Sequence, residues 1–229
     1  MSVQTIYLLA TGTVPQGLEK EAEGHGMVLD VVPFIDIEYP DGIGGLGSLI
    51  AKPLTVIFTS VNAVNAVRRY LKQPLPDWRI YCISGATSAA VVELFGEKAV
   101  VAKAGSASEL VEEIRVREKG KIEEVIFFCG DHRREELPAI GVTEKIVYRT
   151  ILTPHRIDRT YDGIAFFSPS AVESFFSVNS ITAGVSLFAI GKTTETAIRA
   201  ACTNPVFPGR QPDRAILIRE MIDYFLFKT

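Results

Sequence analysis

The sequence predicts an α/β protein made of two similar domains with parallel sheets, joined by a two-stranded antiparallel β linker. Apolar segments of strand length alternate with segments whose apolar residues have helical spacing. The strand segments are nearly continuous apolar runs, as expected when helices cover both faces of a sheet. A series of strand-to-helix corners also occurs twice along the chain, which indicates an internal duplication.

Eight segments are predicted as strands and six as helices. The strand segments read, in chain order, TIYLLA, TVIFTS, RIYCIS, KAVVAK, EVIFFC, GIAFFS, SLFAIG and NPVFPG. The helix segments read NAVNAVRRYLK, TSAAVVELFG, SASELVEEIRVRE, SAVESFF, TTETAIRAAC and DRAILIREMIDYFLF. A helix between successive strands returns the chain to the same sheet edge, so the predicted sheets are parallel.

Composition excludes several classes of protein. The 229 residues suit one large domain or two small ones, and 47% apolar with 22% charged residues is typical of a soluble globular protein. The net charge of −3 gives no general attraction to nucleic acid or anionic membranes. No apolar run approaches the ~20 residues that span a bilayer. The N-terminus lacks the basic region of a signal peptide, so we expect a cytoplasmic protein with no nucleic-acid or membrane partner.

The cysteines suit the same compartment. They are odd in number and form no CxxC pair, so buried free thiols in a reducing cytoplasm are the simplest interpretation. The three are Cys82, Cys129 and Cys202.

The duplication is visible in matched corners. Ser60 and Ser168 lie 108 residues apart, each after an apolar strand and before a helix. Gly85 and Gly191 lie 106 residues apart in equivalent positions. Corners in the same order at a nearly constant, long offset indicate two related α/β domains rather than a solenoid.

The duplication also predicts the domain boundaries. The first copy has an extra strand and helix that the second copy lacks, and the N-terminal segment supplies the equivalent pair. We therefore expect the N-terminus to complete the second copy, so that the chain crosses between domains twice. The expected cleft between the domains is the default ligand site. The predicted parts are a discontinuous domain 1 of residues 1–34 and 153–229, domain 2 of residues 40–146, and linker strands at 35–39 and 147–152.

The repeated corners are candidate ligand sites. Ligands of parallel α/β sheets bind beyond the carboxyl ends of the strands, where the helices begin. The corners TSVNAV, SGATSA, SPSAV and GKTTE place hydroxyl or amide side chains near predicted helix N-caps. These side chains either only cap their helices or, with the free N–H groups and helix dipoles, hold carboxylates or phosphates. Arg133 follows a strand end and Gly130 at the same edge, which makes it a candidate cation.

Motifs for other chemistries are weak or missing. GIGGLG (42–47) follows Pro-Asp rather than a strand, and no acidic residue lies about 20 positions on, so we predict a loop rather than a dinucleotide site. His25, His132 and His155 show no metal-ligand spacing. The sequence has no GxSxG elbow, P-loop or HExxH motif. It therefore predicts no metal and no cofactor, and chemistry that depends on positioning and hydrogen bonds.

Six motifs occur in order along the chain: IFTSVNAV, SGATSAAVVELFG, FFCGDHRREELPAIG, VYRT, DGIAFFSPSAVESF and AIGKTTETAI. This ordered set resembles the uroporphyrinogen-III synthases, most closely over residues 57–200. The first strand departs from the family pattern, because it ends in LLATGTV where the family often has Thr-Arg-Pro. An arginine is thus absent from that corner.

The resemblance implies a fold and a reaction. The family has two α/β domains on a two-stranded linker, with the active site in the cleft. Its substrate is hydroxymethylbilane, a linear tetrapyrrole with eight carboxylates. The enzyme closes the ring, removes water and inverts the last pyrrole through a spirocyclic intermediate, without a metal or organic cofactor. The uncatalysed reaction gives the un-inverted isomer, so the enzyme's task is to enforce geometry.

The resemblance also implies roles for particular residues. Tyr148 matches the tyrosine of the family's VYxT linker, where its phenol would act as a general acid on the departing hydroxyl. The alternative is a linker tyrosine that only packs between the domains. Arg133 would be a direct cation for substrate. The implied substrate-binding residues are Ser60, Asn62, Gly85, Thr87, Ser88, Gly130, Arg133, Ser168, Ser170, Ala171, Gly191, Thr193 and Thr194.

Two other functions remain open from the sequence. A non-catalytic two-domain protein could bind a small polyanion in the same cleft, since the family's chemistry needs no diagnostic nucleophile. A nucleotide-binding enzyme is disfavoured by the failed glycine-rich motif. We expect a monomer, because each half already covers its sheet with helices.

Overall fold

The computed structural model divides into two compact units. Unit 1 comprises Met1–Asp36 and Ile151–Thr229, and unit 2 comprises Ile37–Thr150. Unit 1 is therefore discontinuous in sequence, and unit 2 is inserted within it. The structure describes residues 5–118, 124–132 and 142–227.

Strands and helices alternate along the described residues. The strands are β1 (Ile6–Ala10), β2 (Met27–Val31), β3 (Ile35–Glu38), β4 (Leu54–Phe58), β5 (Trp78–Ile83), β6 (Val100–Ala104), β7 (Val125–Gly130), β8 (Val142–Leu152), β9 (Gly163–Phe166), β10 (Ser186–Ala189) and β11 (Val206–Pro208). The helices are α1 (Leu18–Gly24), α2 (Leu46–Ile50), α3 (Val61–Arg68), α4 (Ala86–Phe95), α5 (Ala107–Glu118), α6 (Pro169–Phe176), α7 (Lys192–Ala201) and α8 (Arg214–Phe227). One 3-10 turn, Glu97–Ala99, precedes β6.

The sheet of unit 1 has five strands in the order β11-β10-β9-β1-β2. Every neighbouring pair in it is parallel. The N-terminal strand β1 lies between β2 and β9, with Leu8 opposite Gly163. Strands from both ends of the sequence thus share one sheet, and all their carboxyl ends lie at the same edge.

The sheet of unit 2 has six strands in the order β3-β8-β7-β4-β5-β6. The strands from β8 to β6 are all parallel. In this order β4, β5 and β6 occupy the positions that β9, β10 and β11 occupy in unit 1. The N-terminal strand β1 accordingly corresponds to β7, and β3 is an additional strand at the edge.

Both sheets carry apolar clusters on their two faces. In unit 2, Val56 and Phe58 pack with α3 and α4, whereas Ile57 between them packs with α5. In unit 1, Leu8 packs with α1 and α8, whereas its neighbour Leu9 packs with α6 and α7. Successive side chains of a strand point to opposite faces, so a sheet covered on both faces requires continuous apolar strands.

The structure confirms the predicted α/β class with parallel sheets, and it differs from the sequence analysis in three elements. The strand β2 was not predicted. The residues after GIGG, predicted as a loop, begin the five-residue helix α2 at Leu46. Residues 147–152, predicted as a linker strand, are the end of the longer β8, which pairs with β7 from Val142 to Tyr148.

The predicted state of the cysteines holds for two of them. Cys82 and Cys129 are buried and Cys202 is half-buried, and none of the three forms a disulfide. Within the described part of the chain, no helix is long and apolar enough to cross a membrane.

Candidate functional site

Two of the predicted corners are serine-capped helix starts. Ser60 precedes α3 in an extended conformation, and its Oγ accepts a hydrogen bond of 3.1 Å from the Asn62 N–H. Ser168 precedes α6 in the same way, and its Oγ accepts a hydrogen bond of 3.1 Å from the Ala171 N–H. The first residue of α6 is Pro169, which has no N–H to satisfy. The N–H groups of Asn62 and Ala171, both predicted to bind substrate, are therefore already engaged.

The other two corners begin with glycine and have no side-chain cap. Gly85 precedes α4 with φ of 87°, and Gly191 precedes α7 in an extended conformation. Because neither glycine has a side chain, the N-cap residue offers no side-chain acceptor to the N–H groups of the first three helical residues. These open N–H groups carry the positive end of the helix dipole, so the glycine corners are better suited than the serine corners to bind an anion.

The buried hydroxyl residues at the two glycine corners are not the pair that the duplicated sequence aligns. The duplicated sequence aligns Ser88 with Thr194. Among the hydroxyl residues predicted at these two corners, however, the buried ones are Thr87 and Thr194. The Ser88 hydroxyl donates to the Gly85 carbonyl at 2.9 Å, so its hydrogen is used within its own helix start. Thr193 is exposed beside Thr194, so a hydroxyl of the second glycine corner is open to a ligand.

The centre of the candidate site in unit 2 is a pair of hydroxyls. The phenol of Tyr148 donates to Ser60 Oγ at 3.3 Å. That distance is long for an O–H···O hydrogen bond, whose usual range ends near ~3.0 Å, so a ligand oxygen can compete for the phenol. A hydroxyl has two acceptor positions and one hydrogen. Because Ser60 accepts from both Tyr148 and Asn62, its own hydrogen is left to donate to a ligand.

A β-bulge places Tyr148 at this position. Cys129 pairs with Ile146, but the next residue, Gly130, pairs with Tyr148, so Val147 is one extra residue in β8. Val147 is fully buried, and Tyr148 packs against the same apolar cluster. In a regular strand, two successive side chains would point to opposite faces. The bulge therefore turns the phenol towards the end of the sheet, a role that bulges often have at active sites.

Gly130 provides the space that the tyrosine ring occupies. A Cβ atom at residue 130 would lie 2.5 Å from Tyr148 Cζ and 2.8 Å from its hydroxyl oxygen. Real Cβ contacts are essentially never this short, so any other residue would displace the ring. Gly130 was predicted as a substrate contact, and the structure shows its packing against Tyr148.

Asp131 is a residue that the sequence analysis missed. Its Oδ1 accepts hydrogen bonds from the N–H groups of His132 at 2.8 Å and Thr150 at 2.9 Å. Its own N–H donates to the Tyr148 carbonyl at 3.3 Å. Asp131 thus fixes β8 directly after Tyr148, through the Tyr148 carbonyl and the Thr150 N–H. The only sequence signal was its position directly after a strand and a glycine.

The environment of Tyr148 keeps its phenol protonated. Burial raises the pKa of Tyr148 above the ordinary 10.0, and the hydrogen bond to Ser60 opposes this only in part. The neighbouring Cys129 and Asp131 also favour the neutral form, because a phenolate would be repelled by negative charge there. The group is consequently a proton donor at neutral pH.

Arg133 and Ser170 are the last two of the predicted substrate contacts. Arg133, the predicted cation, lies outside the described residues. Ser170 is half-buried in the first turn of α6. Within residues 5–118, 124–132 and 142–227, no group of three or more His, Cys, Asp or Glu side chains could hold a metal ion.

The fold and these corners define an α/β protein whose helices begin at the carboxyl edges of parallel sheets, the place where proteins of this class bind small molecules. A family model described as uroporphyrinogen-III synthase HemD matches residues 16–216. The chain belongs to the uroporphyrinogen-III synthase family, whose members are cyclising lyases of tetrapyrrole biosynthesis. Its substrate class is therefore a small-molecule tetrapyrrole.

Solved structures agree with the fold. The uroporphyrinogen-III synthetase of Helicobacter pylori is similar with a TM-score of 0.65 and 15% identity, over 96% of this chain and 99% of that one. A mutant uroporphyrinogen III synthase of Thermus thermophilus is similar with a TM-score of 0.65 and 15% identity, over 98% and 100% of the two chains. No curated protein sequence matches the chain. At this identity the structures establish the fold, and the family match establishes membership.

Replacing Gly130 with alanine tests whether the position of Tyr148 matters. The added Cβ overlaps the phenol ring, so we expect Gly130→Ala to lose about 1–3 kcal/mol of stability and to reduce turnover at least about tenfold. Gly42→Ala is the control, because a Cβ there meets nothing within 4 Å. Urea unfolding and turnover measure the two effects. Equal turnover of the two variants would show that the ring position is irrelevant to activity.

Alkaline titration tests the environment of Tyr148. Its pKa is raised in the folded state, so its contribution to stability is complete below pH ~10 and is lost as the pH rises through the folded pKa. The tyrosinate absorbance of the wild type minus that of Tyr148→Phe should therefore titrate above pH ~10, whereas the same difference in urea should titrate near ~10. A folded-state midpoint at or below that of the unfolded chain would contradict the burial argument.

Proposed function

We propose that this protein converts hydroxymethylbilane to uroporphyrinogen III, closing the ring with loss of water and inversion of the last pyrrole. The observation that carries this mechanism is the phenol of Tyr148, held over Gly130 with a weak hydrogen bond to Ser60. The protein is proposed to need no metal or organic cofactor, because the reaction is a rearrangement with loss of water. It requires a proton donor and an enforced geometry.

The first chemical step is loss of the terminal hydroxyl group. The electron pair of the terminal pyrrole expels the hydroxyl group as the C–O bond breaks, and the Tyr148 phenol transfers its proton to the departing oxygen to give water. A phenol with a raised pKa holds that proton at neutral pH until the leaving group develops negative charge. Ser60 and Asp131 maintain the phenol's position during this step.

The resulting electrophilic carbon then reacts within the bound chain. Attack by the substituted carbon of the last pyrrole gives the spirocyclic intermediate, and its reopening and closure invert that ring. The final closure releases one proton from carbon, and this proton restores the Tyr148 phenol, so the sum of the steps is loss of water. Because the unaided reaction closes without inversion, the site must hold the last pyrrole in the inverting orientation.

The substrate carboxylates are proposed to bind at the helix starts. The glycine corners at Gly85 and Gly191 offer backbone N–H groups that no side chain caps. The free hydrogen of Ser60 is a further donor in unit 2. A net-negative protein can bind an octa-anion in this way, because local dipoles and donors act at short range while distant charges are screened.

The corners of the two units are proposed to serve one substrate in a cleft between two domains. This proposal rests on the duplication and on the family, since both units present equivalent corners at the carboxyl ends of their strands. The proposed domains are residues 1–34 with 153–229 and residues 40–146, joined by linker strands. The enzyme is proposed to act in the cytoplasm as a monomer, with no nucleic-acid or membrane partner.

A product assay tests the proposed reaction. Freshly prepared hydroxymethylbilane is added to the protein, the products are oxidised, and the uroporphyrin isomers are separated. We expect isomer III in excess of the enzyme-free blank, which gives isomer I. A product mixture equal to the blank, combined with tight binding of uroporphyrin, would instead indicate a non-catalytic protein that binds tetrapyrroles.

Replacing Tyr148 with phenylalanine tests the general acid. General acid catalysis contributes about 10²–10⁴-fold, so turnover should fall within or near that range while product binding changes little. Tyr161→Phe is the control: it removes a phenol that donates to Asp30 at 2.8 Å, and Asp30 keeps its ion pair with Arg159. Turnover of Tyr148→Phe equal to that of Tyr161→Phe would remove Tyr148 from the mechanism.

A further inference from the structure

Arg214 lies at the carboxyl edge of the sheet in unit 1. It is the first residue of α8, and its Nη1 donates to the carbonyl and hydroxyl oxygens of Thr13 at 2.7 and 2.9 Å. Its guanidinium carbon lies 5.1 Å from the centre of the Phe167 ring. Thr13 follows β1 and Phe167 follows β9, so the guanidinium group connects the ends of two neighbouring strands.

Arg214 has no carboxylate partner within the described part of the chain. Its neighbours on and before α8 do: Arg219 pairs with Glu21 at 3.0 Å, and Arg210 pairs with Glu220 at 3.6 Å. The adjacent carboxylate, Asp213, caps α8 by accepting from the Ile216 N–H at 2.9 Å. Arg214 is therefore a cation that the described protein positions but does not neutralise.

The electrostatic environment of Arg214 agrees with this geometry. Carboxylates raise the pKa of Arg219 and of Arg79, because each is hydrogen-bonded to a glutamate. The pKa of Arg214 is instead lowered, and the cause is loss of solvent alone. A bound anion would oppose this lowering, because a nearby opposite charge favours the charged form of the guanidinium group.

The guanidinium group keeps one edge available. The hydrogen bonds to Thr13 use Nη1, and no hydrogen bond within the described residues uses Nε or Nη2. These two atoms form a fork that matches the two oxygens of a carboxylate. Thr13 and the Phe167 ring hold the side chain in place, so binding a ligand would cost less conformational entropy than at a free arginine.

We propose that Arg214 is a substrate-binding residue, which receives one carboxylate of the tetrapyrrole through Nε and Nη2. Phe167 beneath it is followed directly by Ser168, so the cation stands beside a predicted corner of the site. The inference rests on the proposed function for the identity of the carboxylate. It assigns a cation to unit 1, whereas the sequence analysis placed its candidate, Arg133, in the predicted domain 2.

A matched pair of substitutions on one helix tests the proposal. Arg214→Met and Arg219→Met remove the same charge and the same side chain from α8. We expect Arg214→Met to raise KM for hydroxymethylbilane and Kd for uroporphyrin III about tenfold, with kcat changed less than KM. Arg219→Met should leave both constants unchanged. Higher salt should reduce the differences in KM and Kd between Arg214→Met and the wild type, because salt screens the charge of the arginine.

Further variants separate binding from folding. Arg214→Lys keeps the charge and should recover part of the affinity for uroporphyrin III. Arg214→Gln keeps an N–H donor for Thr13 but no charge, and should not recover that affinity. If Arg214→Met does not fold, these two variants decide the question. Equal KM and Kd for Arg214→Met and Arg219→Met, or equal affinity for Arg214→Lys and Arg214→Gln, would overturn the proposal.

The proposed function and this inference can fail separately. If the wild type makes isomer III but Arg214→Met has unchanged KM and Kd, the function stands and the role of Arg214 is wrong. If the wild type makes only isomer I, the function is wrong. Titration of uroporphyrin III fluorescence then still tests whether Arg214 binds a carboxylate, because that measurement requires no turnover.

Discussion

Parallel pairing of the strands is the constraint on which the other features of this molecule depend. From β11 to β2 and from β8 to β6, every neighbouring pair runs in the same direction. All carboxyl ends therefore lie at one edge of each sheet, and each helix that follows a strand begins there. Hydroxyls, open N–H groups and the positive ends of helix dipoles are concentrated at that edge without any sequence motif that gathers them.

Within that edge, the capping of each helix decides what it can offer a ligand. Ser60 and Ser168 satisfy N–H groups of their own helices, which stabilises each helix by about 1 kcal/mol and removes one donor from the site. Gly85 and Gly191 give up that stabilisation and leave the first turn open. The duplicated halves thus combine one closed and one open corner each, and the open corners are where anion binding competes with the fewest internal bonds.

The sequence predicted the fold more fully than the site, because continuous apolar strands and repeated corners are local patterns. It missed β2 because Asp30 interrupts the run MVLDV, and the partners that satisfy this carboxylate are distant in sequence. Tyr148 was identified through the family motif, but its orientation depends on the bulge at Val147, which is a matter of strand register. The sequence predicted Gly130 as a ligand contact, and only the structure shows that the Tyr148 ring packs against it. In the sequence Asp131 is one of many acidic residues, and only the structure shows its hydrogen bonds with the Tyr148 carbonyl and the Thr150 N–H.

The protein and the proposed substrate are both negatively charged, so binding depends on where the positive groups of the protein lie. A net charge of −3 disfavours an octa-anion at long range, but that repulsion is screened beyond about 8–10 Å in physiological salt. At contact distance we expect the balance to be set by groups whose positive ends have no internal partner, such as the uncapped N–H groups and the proposed fork of Arg214. Arginines that already pair with glutamates, such as Arg219, contribute little to it. We therefore expect a cation to contribute to substrate binding according to whether a carboxylate of the protein already pairs with it, rather than according to the number of basic residues.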